Sequence, residues 1–436
     1  MSGVFSFGRP SPRDEFLARP FNPVRLLDGG SPRRESLDLA LEAHDPFCEW
    51  PDESRSTGDD CSMLTAESRR RDFPTLGRMA YFNTAAEGIS PLAVGDALAT
   101  YFQHKQLGME GRPPHFEQLA QTKSLVAGFY GLTPEEIAVC SCSSEAYNLA
   151  SLALQLKAGD EVVINDLDFP AGVTPWLQPG CPATVKVWRS QDGALRTEDL
   201  IPLLGPKTRF VTTSLVSFFN GFVLPIVEVR DAVRRHSDAL FSVDVTQALG
   251  RIPLDLADVD LIVSSTHKWI LATHGGGLVG VPSRRAQELT VPAGGWYHLQ
   301  DAFGANRFDR AVSQPGAPGF AVGMPNFPAI YAIRAALQYI HETGVENIAA
   351  AAAPLVAEVY REVAKLPVEM LTPAGAPLAG ILAFRHPRFE EIHRQLREQE
   401  IHVMAHAGRI RIAVHGYNTP ADVERLLAGL KAAIPG

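Results

Sequence analysis

The chain has 436 residues and a formal net charge of −9, with 45% hydrophobic and 20% charged residues. This length favours two folded lobes plus an extension, and the composition is that of an ordinary globular protein. The negative charge argues against a general binder of nucleic acid or anionic membrane, because such proteins need clustered Lys and Arg.

The cysteines and the apolar runs indicate the cellular compartment. No stretch approaches the roughly 20 apolar residues that a membrane span requires. The five cysteines are scattered, and Cys140-x-Cys142 lacks the two-residue gap of common zinc or redox motifs. We therefore expect a cytoplasmic protein with neither a disulfide framework nor a bound metal.

Residues 1–72 differ from the rest of the chain. They are rich in Pro, Arg, Ser and acidic residues and show no strand alternation, although residues 36–42 could form a short amphipathic helix. We expect a partly ordered N-terminal extension. The alternative is a helix that packs on a partner subunit.

From residue 73 apolar strands alternate with amphipathic helices, which predicts an α/β fold with a mostly parallel sheet covered on both faces. The predicted helices span residues 91–104, 116–130, 144–156 and 227–236. The predicted strands span residues 137–140, 161–165, 184–188, 210–217, 240–245, 261–264 and 277–281.

The pattern changes after the Pro/Gly-rich residues 314–319. Long helices at 326–342 and 345–365 precede a strand at 382–385, a helix at 388–400 and a strand at 410–414. This order predicts a smaller α+β lobe. We assign a large domain to residues 93–315 and a small domain to residues 73–92 together with 316–436.

Polar residues that could take part in catalysis or binding lie where predicted strands end. Asp244 closes one apolar strand and is followed by Gln247, and the next strand leads into the run Ser265-Thr266-His267-Lys268. A buried acid at a strand end requires a partner. Residues 141–148 place hydroxyls at the start of a helix, where backbone N–H groups bind phosphate.

Through these motifs the chain resembles the class V aminotransferase family of pyridoxal phosphate (PLP) enzymes, which includes cysteine desulfurases, carbon–sulfur lyases and proteins like isopenicillin N epimerase. The resemblance covers about residues 79–430. It implies fold type I, with a large domain around a mostly parallel seven-stranded sheet, a small α+β C-terminal domain, and a homodimer with shared active sites.

The resemblance also implies roles for individual residues. Lys268 is the expected Schiff-base lysine, and Asp244 pairs with the protonated pyridine nitrogen of PLP. The expected phosphate-binding residues are Ser143, Ser144, Ser265 and His267. Phe169 is expected to stack on the pyridine ring, although simple core packing is the alternative.

Further contacts follow from the same resemblance. Gln247 and Asn220 are expected near the ring's 3-oxygen, although an Asn-Gly pair also forms turns. Gly295 is expected to supply a backbone contact across the dimer, because Met324 replaces the family's Thr. Arg411 is the candidate for the substrate carboxylate, with Arg409 as a weaker rival. Asn83 is expected to line the substrate side.

The C-terminal segment bears on the reaction. Cysteine desulfurases carry a nucleophilic Cys shortly before the C-terminal Arg, and residues 402–409 contain none. We therefore expect an enzyme that is not a persulfide-forming cysteine desulfurase. The leading hypothesis is a PLP-dependent lyase that breaks a carbon–sulfur bond by β-elimination from an S-substituted cysteine of secondary metabolism.

Other reactions remain open on the same cofactor: transamination, epimerisation, or decarboxylation coupled to deamination. A PLP-fold binding protein without turnover is disfavoured, because Lys268, Asp244 and Arg411 are all present.

Overall fold

The computed structural model describes residues 63–435, so the predicted helix at residues 36–42 lies outside the described part. The helices are α1 Ala66–Asp72, α2 Leu92–Gln106, α3 Arg112–Tyr130, α4 Ser143–Ala153, α5 Pro170–Val173, α6 Thr197–Leu200, α7 Ile226–His236, α8 Phe327–Thr343, α9 Val345–Val363, α10 Phe389–Glu398 and α11 Pro420–Ala433. Within the described residues, no helix is long and apolar enough to cross a membrane.

Thirteen strands form three sheets among the described residues. They are β1 Ala80–Tyr81, β2 Ile137–Cys140, β3 Glu161–Asn165, β4 Thr184–Trp188, β5 Thr208–Ser214, β6 Leu240–Asp244, β7 Leu261–Ser265, β8 Gly277–Gly280, β9 Glu369–Met370, β10 Ile381–Arg385, β11 Ile401–His402, β12 Met404–His406 and β13 Arg409–Ala413.

The main sheet has seven strands in the order β2-β8-β7-β6-β5-β3-β4. Strands β7, β6, β5, β3 and β4 run parallel to one another, and β8 is antiparallel to both of its neighbours, β2 and β7. Every residue of β6, β7 and β8 is buried, as expected where helices cover both faces of a sheet. The carboxyl ends of β3, β5, β6 and β7 meet at one edge, the usual place for ligand binding in such sheets.

A smaller sheet lies in the C-terminal part of the chain. Strands β12-β13-β10-β9 pair antiparallel, and β1 pairs with β11 in parallel. A separate apolar core joins these strands to α9, α10 and α11, and it includes Phe82, Val356, Leu396 and Leu430. The N-terminal strand β1 is therefore part of the small lobe.

The predicted fold type, with its seven-stranded, mostly parallel sheet and smaller C-terminal domain, is confirmed. The sequence did not predict the short elements α1, α5, α6, β9, β11 and β12, nor the 14-residue helix α11. Helix α1 falls within the predicted extension of residues 1–72. Thr65 caps it, and Arg69 forms a 2.8 Å ion pair with Asp422 at the start of α11.

Candidate active site

Lys268 lies in the loop that follows β7. The N–H of Gly88 donates to the carbonyl of His267 (2.8 Å). A Cβ at position 88 would lie 2.0 Å from the Lys268 carbonyl oxygen, so only glycine fits there. Burial lowers the pKa of Lys268 to about 8, while the carboxylate of Asp244 opposes that shift. Near neutral pH this amine loses its proton far more readily than a surface lysine.

Asp244 ends β6 and is only 9% exposed. Its Oδ1 accepts a hydrogen bond from the N–H of Thr246 (2.8 Å). Burial raises the pKa of Asp244, and hydrogen bonds from Thr246 together with the charge of Lys268 hold the increase down. Among the described residues no Lys or Arg lies within ion-pair distance of this carboxylate, although the charge of Lys268 acts on it. The site therefore suits a cationic ligand group such as a protonated pyridine nitrogen.

A cradle of hydroxyls joins the lysine loop to the N-terminus of α4. The hydroxyl of Ser265 donates to that of Ser143 (2.9 Å), and Thr246 Oγ1 accepts from the N–H of Ser265 (2.9 Å). Ser144 lies exposed in the first turn of α4. A Cβ at Gly277 would lie 2.4 Å from the carbonyl carbon of Cys142, so the close approach of β8 requires glycine. A helix start with these hydroxyls fits a phosphate group.

His267 belongs to a stack that the sequence did not predict. Its ring lies 4.1 Å from that of His274 with 21° between the planes, and His274 Nε2 lies 2.9 Å from Glu87 Oε2. Burial and the neighbouring Lys268 lower the pKa of His267 to about 4. Glu87, His267 and His274 each place one ligand atom within 4.8 Å of the other two, but nearly parallel rings direct their in-plane lone pairs poorly toward a single ion. The stack instead fixes the plane of the His267 ring.

Phe169 lies beside the lysine with a free face. It is 45% exposed, and its ring centroid is 5.1 Å from Lys268 Nζ. On its other side it meets the ring of Phe218 edge-on at 5.0 Å. The exposure argues against simple core packing and fits a ring that covers a flat ligand.

The structure differs from the prediction at Asn220. Both of its amide hydrogens go to backbone carbonyls, those of Gly193 (2.7 Å) and Leu371 (3.2 Å), and its Oδ1 accepts from the N–H of Phe222 (3.0 Å). No amide hydrogen remains for a ring oxygen. Asn220 instead holds the Asn-Gly turn in place, because its partners come from two distant segments.

Gln247 is partly committed to the protein. Its Nε2 donates to the carbonyl of Ala85 (3.1 Å), and its Oε1 accepts from the indole N–H of Trp269 (2.6 Å). The amide thus ties the residue after Lys268 to the sheet edge. One amide hydrogen is left, so the contact with the ring's 3-oxygen stays a prediction.

Gly295 lies in an exposed loop, where a Cβ would meet the carbonyl oxygen of Val322 at 2.3 Å. The N–H of Trp296 donates to the same carbonyl (3.1 Å). The glycine is therefore required by contacts within one chain, and its predicted contact across a dimer stays a prediction.

The residues expected on the substrate side lie on β13 and in the segment after β1. Arg411 is 3% exposed, and its Nη1 donates to the carbonyl of Phe218 (2.8 Å) while its Nε has no partner. Burial lowers the pKa of Arg411 to about 10, and its charge in turn contributes to the lowered pKa of Lys268. Asn83 is bridged to Ala413 on the same strand, and its buried Oδ1 is also unpartnered. Together they fit an α-carboxylate and an amine.

Two further side chains stand close to Asp244. Asp168 accepts from the N–H of Ser214 (2.7 Å) and from Asn165 Nδ2 (2.8 Å), and burial raises the pKa of Asp168 to about 7. Tyr147 on α4 is fully buried, and its hydroxyl has no hydrogen-bond partner among the described residues but lies near enough to Asp244 to lower the pKa of that carboxyl. The only sequence signal for either was its position beside a predicted site residue.

The comparisons with known proteins agree with this geometry. The family model described as aminotransferase class-V matches residues 80–426. The chain belongs to the class V aminotransferase family. The cofactor of this family member is pyridoxal phosphate, and the cradle of Ser143 and Ser265, the unpaired Asp244 and the open face of Phe169 fit that group.

Relatives within the family carry different names. An uncharacterized aminotransferase of Bacillus subtilis, YcbU, is 26% identical over 84% of this chain and 97% of its own length. A cysteine desulfurase of Escherichia coli is 27% identical over 84% of this chain and 98% of its own. The solved structure of C-DES, a cystine C–S lyase in complex with its product cysteine persulfide, matches with a TM-score of 0.75 at 24% identity and covers 82% of this chain and 98% of its own.

These relatives correct one expectation. The absence of a cysteine from residues 402–409 led us to exclude a persulfide-forming enzyme, and that exclusion was wrong, since class V relatives of this chain are cysteine desulfurases and C-DES releases cysteine persulfide. The physical reason is that a persulfide need not form on a protein thiol. Breaking a C–S bond next to an S–S bond leaves the persulfide on the released product.

Proposed function

We propose that this class V protein is a PLP-dependent carbon–sulfur lyase that cleaves S-substituted L-cysteines by β-elimination. The observation that carries the proposal is the placement of Lys268 near both Asp244 and Arg411, whose charges act on its pKa. Lys268 Nζ lies 5.1 Å from the ring of Phe169, which packs on Phe218, and the carbonyl of Phe218 accepts from Arg411 Nη1. The cysteine desulfurase and C–S lyase names among its relatives support sulfur chemistry.

Bound pyridoxal phosphate supplies an aldehyde that binds amines covalently and a protonated ring that withdraws electrons from the substrate. Ser143, Ser144 and Ser265 would hold its phosphate. Asp244 would keep the proton on the ring nitrogen, because a buried carboxylate without an ion-pair partner favours a cation beside it.

Arg411 would orient the substrate through its carboxylate. The guanidinium can grip two oxygens at once, and this decides which bond at the α-carbon stands perpendicular to the ring. Lys268 would then take the α-proton on its Nζ, since a lysine with a pKa of about 8 is a competent base near neutral pH.

The elimination balances without an oxidant. The α-proton goes to Lys268, the Cβ–S bond breaks, and the electron pair leaves with the sulfur as a thiolate. If that sulfur carries a second sulfur, the leaving group is a persulfide. The remaining 2-aminoacrylate reacts with water and gives pyruvate and ammonia.

The test uses purified holoenzyme with S-ethyl-L-cysteine and L-cystine, followed by pyruvate assay and mass analysis of the sulfur products. We expect pyruvate in equal amount to ethanethiol or cysteine persulfide. A keto acid that retains its sulfur would indicate transamination, and a D-amino acid would indicate epimerisation. A sulfur-containing aldehyde released together with carbon dioxide would indicate decarboxylation. Any of these without pyruvate would contradict the proposal.

A further inference from the structure

Arg409 is a buried cation without an anion. It is 3% exposed, and its Nε has no hydrogen-bond partner. No carboxylate of the described residues forms an ion pair with it, and the charged neighbour that affects it is another cation, Arg385. Burying an unpaired charge is unfavourable, so the position indicates a ligand that supplies the missing negative charge.

Other buried arginines in the described chain receive partners from the protein. The Nε of Arg251 donates to the carbonyl of Val414 (3.0 Å). The Nη1 of Arg411 donates to the carbonyl of Phe218 (2.8 Å). Arg409, two residues before Arg411 on β13, makes no such hydrogen bond to a carbonyl of the described residues.

The two arginines face the same way. Alternate residues of a strand leave it on one side, so Arg409 lies on the face from which Arg411 reaches the active site. The guanidinium of Arg409 stacks 4.2 Å from the ring centroid of Phe219 and 5.7 Å from that of Phe218. Such stacking leaves the N–H groups at its edge free to bind an anion.

A continuous aromatic surface leads from the lysine to Arg409. Phe169 lies 5.1 Å from Lys268 Nζ, and Phe218 meets Phe169 at 5.0 Å. Phe218 then meets Phe219 at 6.4 Å, beneath the guanidinium of Arg409. A substrate whose amino group is at Lys268 could extend its S-substituent along this surface.

The spacing fits a second carboxylate. Residues two apart on a strand are separated by about 6.6 Å. The two α-carbons of a cystine unit are about 4.4–6.8 Å apart, and each carries a carboxylate. A dicarboxylic disulfide can therefore present one carboxylate to each arginine.

We propose that Arg409 binds a carboxylate on the S-substituent, so that the preferred substrates are S-substituted cysteines with a second, distal carboxylate, of which L-cystine is the simplest disulfide. This inference rests on the proposed function, because it names the substrate class of the same site. With cystine, the Cβ–S bond breaks and the S–S bond stays intact, which yields cysteine persulfide, pyruvate and ammonia.

The test compares two mixed disulfides of L-cysteine. One carries 3-mercaptopropionate and the other 3-methylbutane-1-thiol, whose branched apolar end has the shape of the carboxylate. In the wild-type holoenzyme we expect kcat/KM to be at least about 10-fold higher for the carboxylated disulfide, as for a charge-assisted hydrogen bond. Arg409→Gln should abolish this preference by raising KM for the carboxylated disulfide.

Arg385→Gln is the matched control. Arg385 is paired in register with Arg409 on β10, but its side chain is exposed and bound to Glu369 (2.8 Å). The substitution Arg385→Gln removes a positive charge near Arg409 but does not alter the aromatic surface. The preference for the carboxylated disulfide should therefore survive. Equal kcat/KM for the two disulfides in the wild type, or a preference that persists in Arg409→Gln, would overturn the inference.

Binding and stability separate this inference from the proposed function. Titration of each disulfide against the visible absorbance of the cofactor gives dissociation constants whether or not pyruvate forms. A carboxylate preference in binding that Arg409→Gln abolishes supports the inference even if turnover is of another kind, and equal dissociation constants refute it. Without ligand, Arg409→Gln should keep or raise Tm, and a lowered Tm would instead indicate a structural role.

Discussion

The proposed cofactor and substrate halves of the active site differ in whether their charged groups have hydrogen-bond partners. At the sheet edge, Asp244 accepts from Thr246 and Ser265 donates to Ser143, so the cofactor side is fixed by the chain itself. On β13, the Nε atoms of Arg409 and Arg411 are buried and unpartnered.

This difference teaches what each half binds. A buried donor without a partner destabilises the empty protein by about 1–3 kcal/mol, and a ligand carboxylate removes that penalty when it binds. We infer that the sheet edge suits a group that stays bound, and that the arginines of β13 suit one that arrives and leaves. Substitutions in the two halves should have separable effects.

The substitution with the largest expected effect is Lys268→Ala. It removes both the amine that holds the cofactor and the base, so we expect turnover to fall by at least about 10⁴-fold. Pyruvate release and the visible absorbance of the bound cofactor would both be measured. Lys105→Ala, an exposed lysine on α2, is the control and should retain both signals. Turnover within tenfold of wild type in Lys268→Ala would contradict the assigned role.

Asp244→Asn tests the cofactor half without removing the lysine. An amide cannot hold the proton on the ring nitrogen, so we expect kcat to fall by about 10²-fold or more while the cofactor still binds. The exposed Asp96→Asn is the matched control. An unchanged kcat would show that Asp244 does not face the ring nitrogen.

Arg411→Gln should affect only the substrate half. Loss of the bidentate grip is expected to lower kcat/KM by about 10- to 100-fold, chiefly through KM, with the cofactor spectrum unchanged. Steady-state kinetics and an absorbance scan check both points. A lost or shifted cofactor band would mean that the two halves are not separable.

The smallest expected effect is on stability against pH. The folded pKa of Lys268, about 8, lies below its ordinary value of 10.5, so between these values the unfolded chain binds the extra proton. The free energy of unfolding of the cofactor-free protein should therefore rise with pH in that window. Urea unfolding at pH 7.5 and 10 should show a smaller rise in the free energy of unfolding for Lys268→Met than for the wild type. An equal rise in the two proteins would argue against a lowered pKa of Lys268.

The sequence predicted the sheet well because its strands are short apolar runs with clear ends. Strands β2, β3 and β4 have the bounds that the apolar pattern indicates, and Asp244 and Ser265 end β6 and β7. Helix α1 escaped prediction because its residues are polar and show no apolar period. Its position depends on Arg69 and Asp422, which are far apart in the sequence.

Side-chain roles that depend on distant partners could not be derived from motifs. Asn220 matched a family position, but its amide is held by Gly193 and Leu371, which only the fold brings near. The same holds for the stack of His274 on His267. The exclusion of persulfide chemistry failed for a chemical reason, because it assumed that the sulfur must pass to a protein thiol.

The pairing of β1 with β11 has a consequence for how the enzyme is made. Ala80 and Tyr81 are translated long before their partners, Ile401 and His402, which also follow the whole main sheet in the chain. Arg411 is translated later still. The main sheet can assemble while the chain is growing, whereas β1 must wait. The proposed substrate side therefore forms after the sheet that carries the proposed cofactor side.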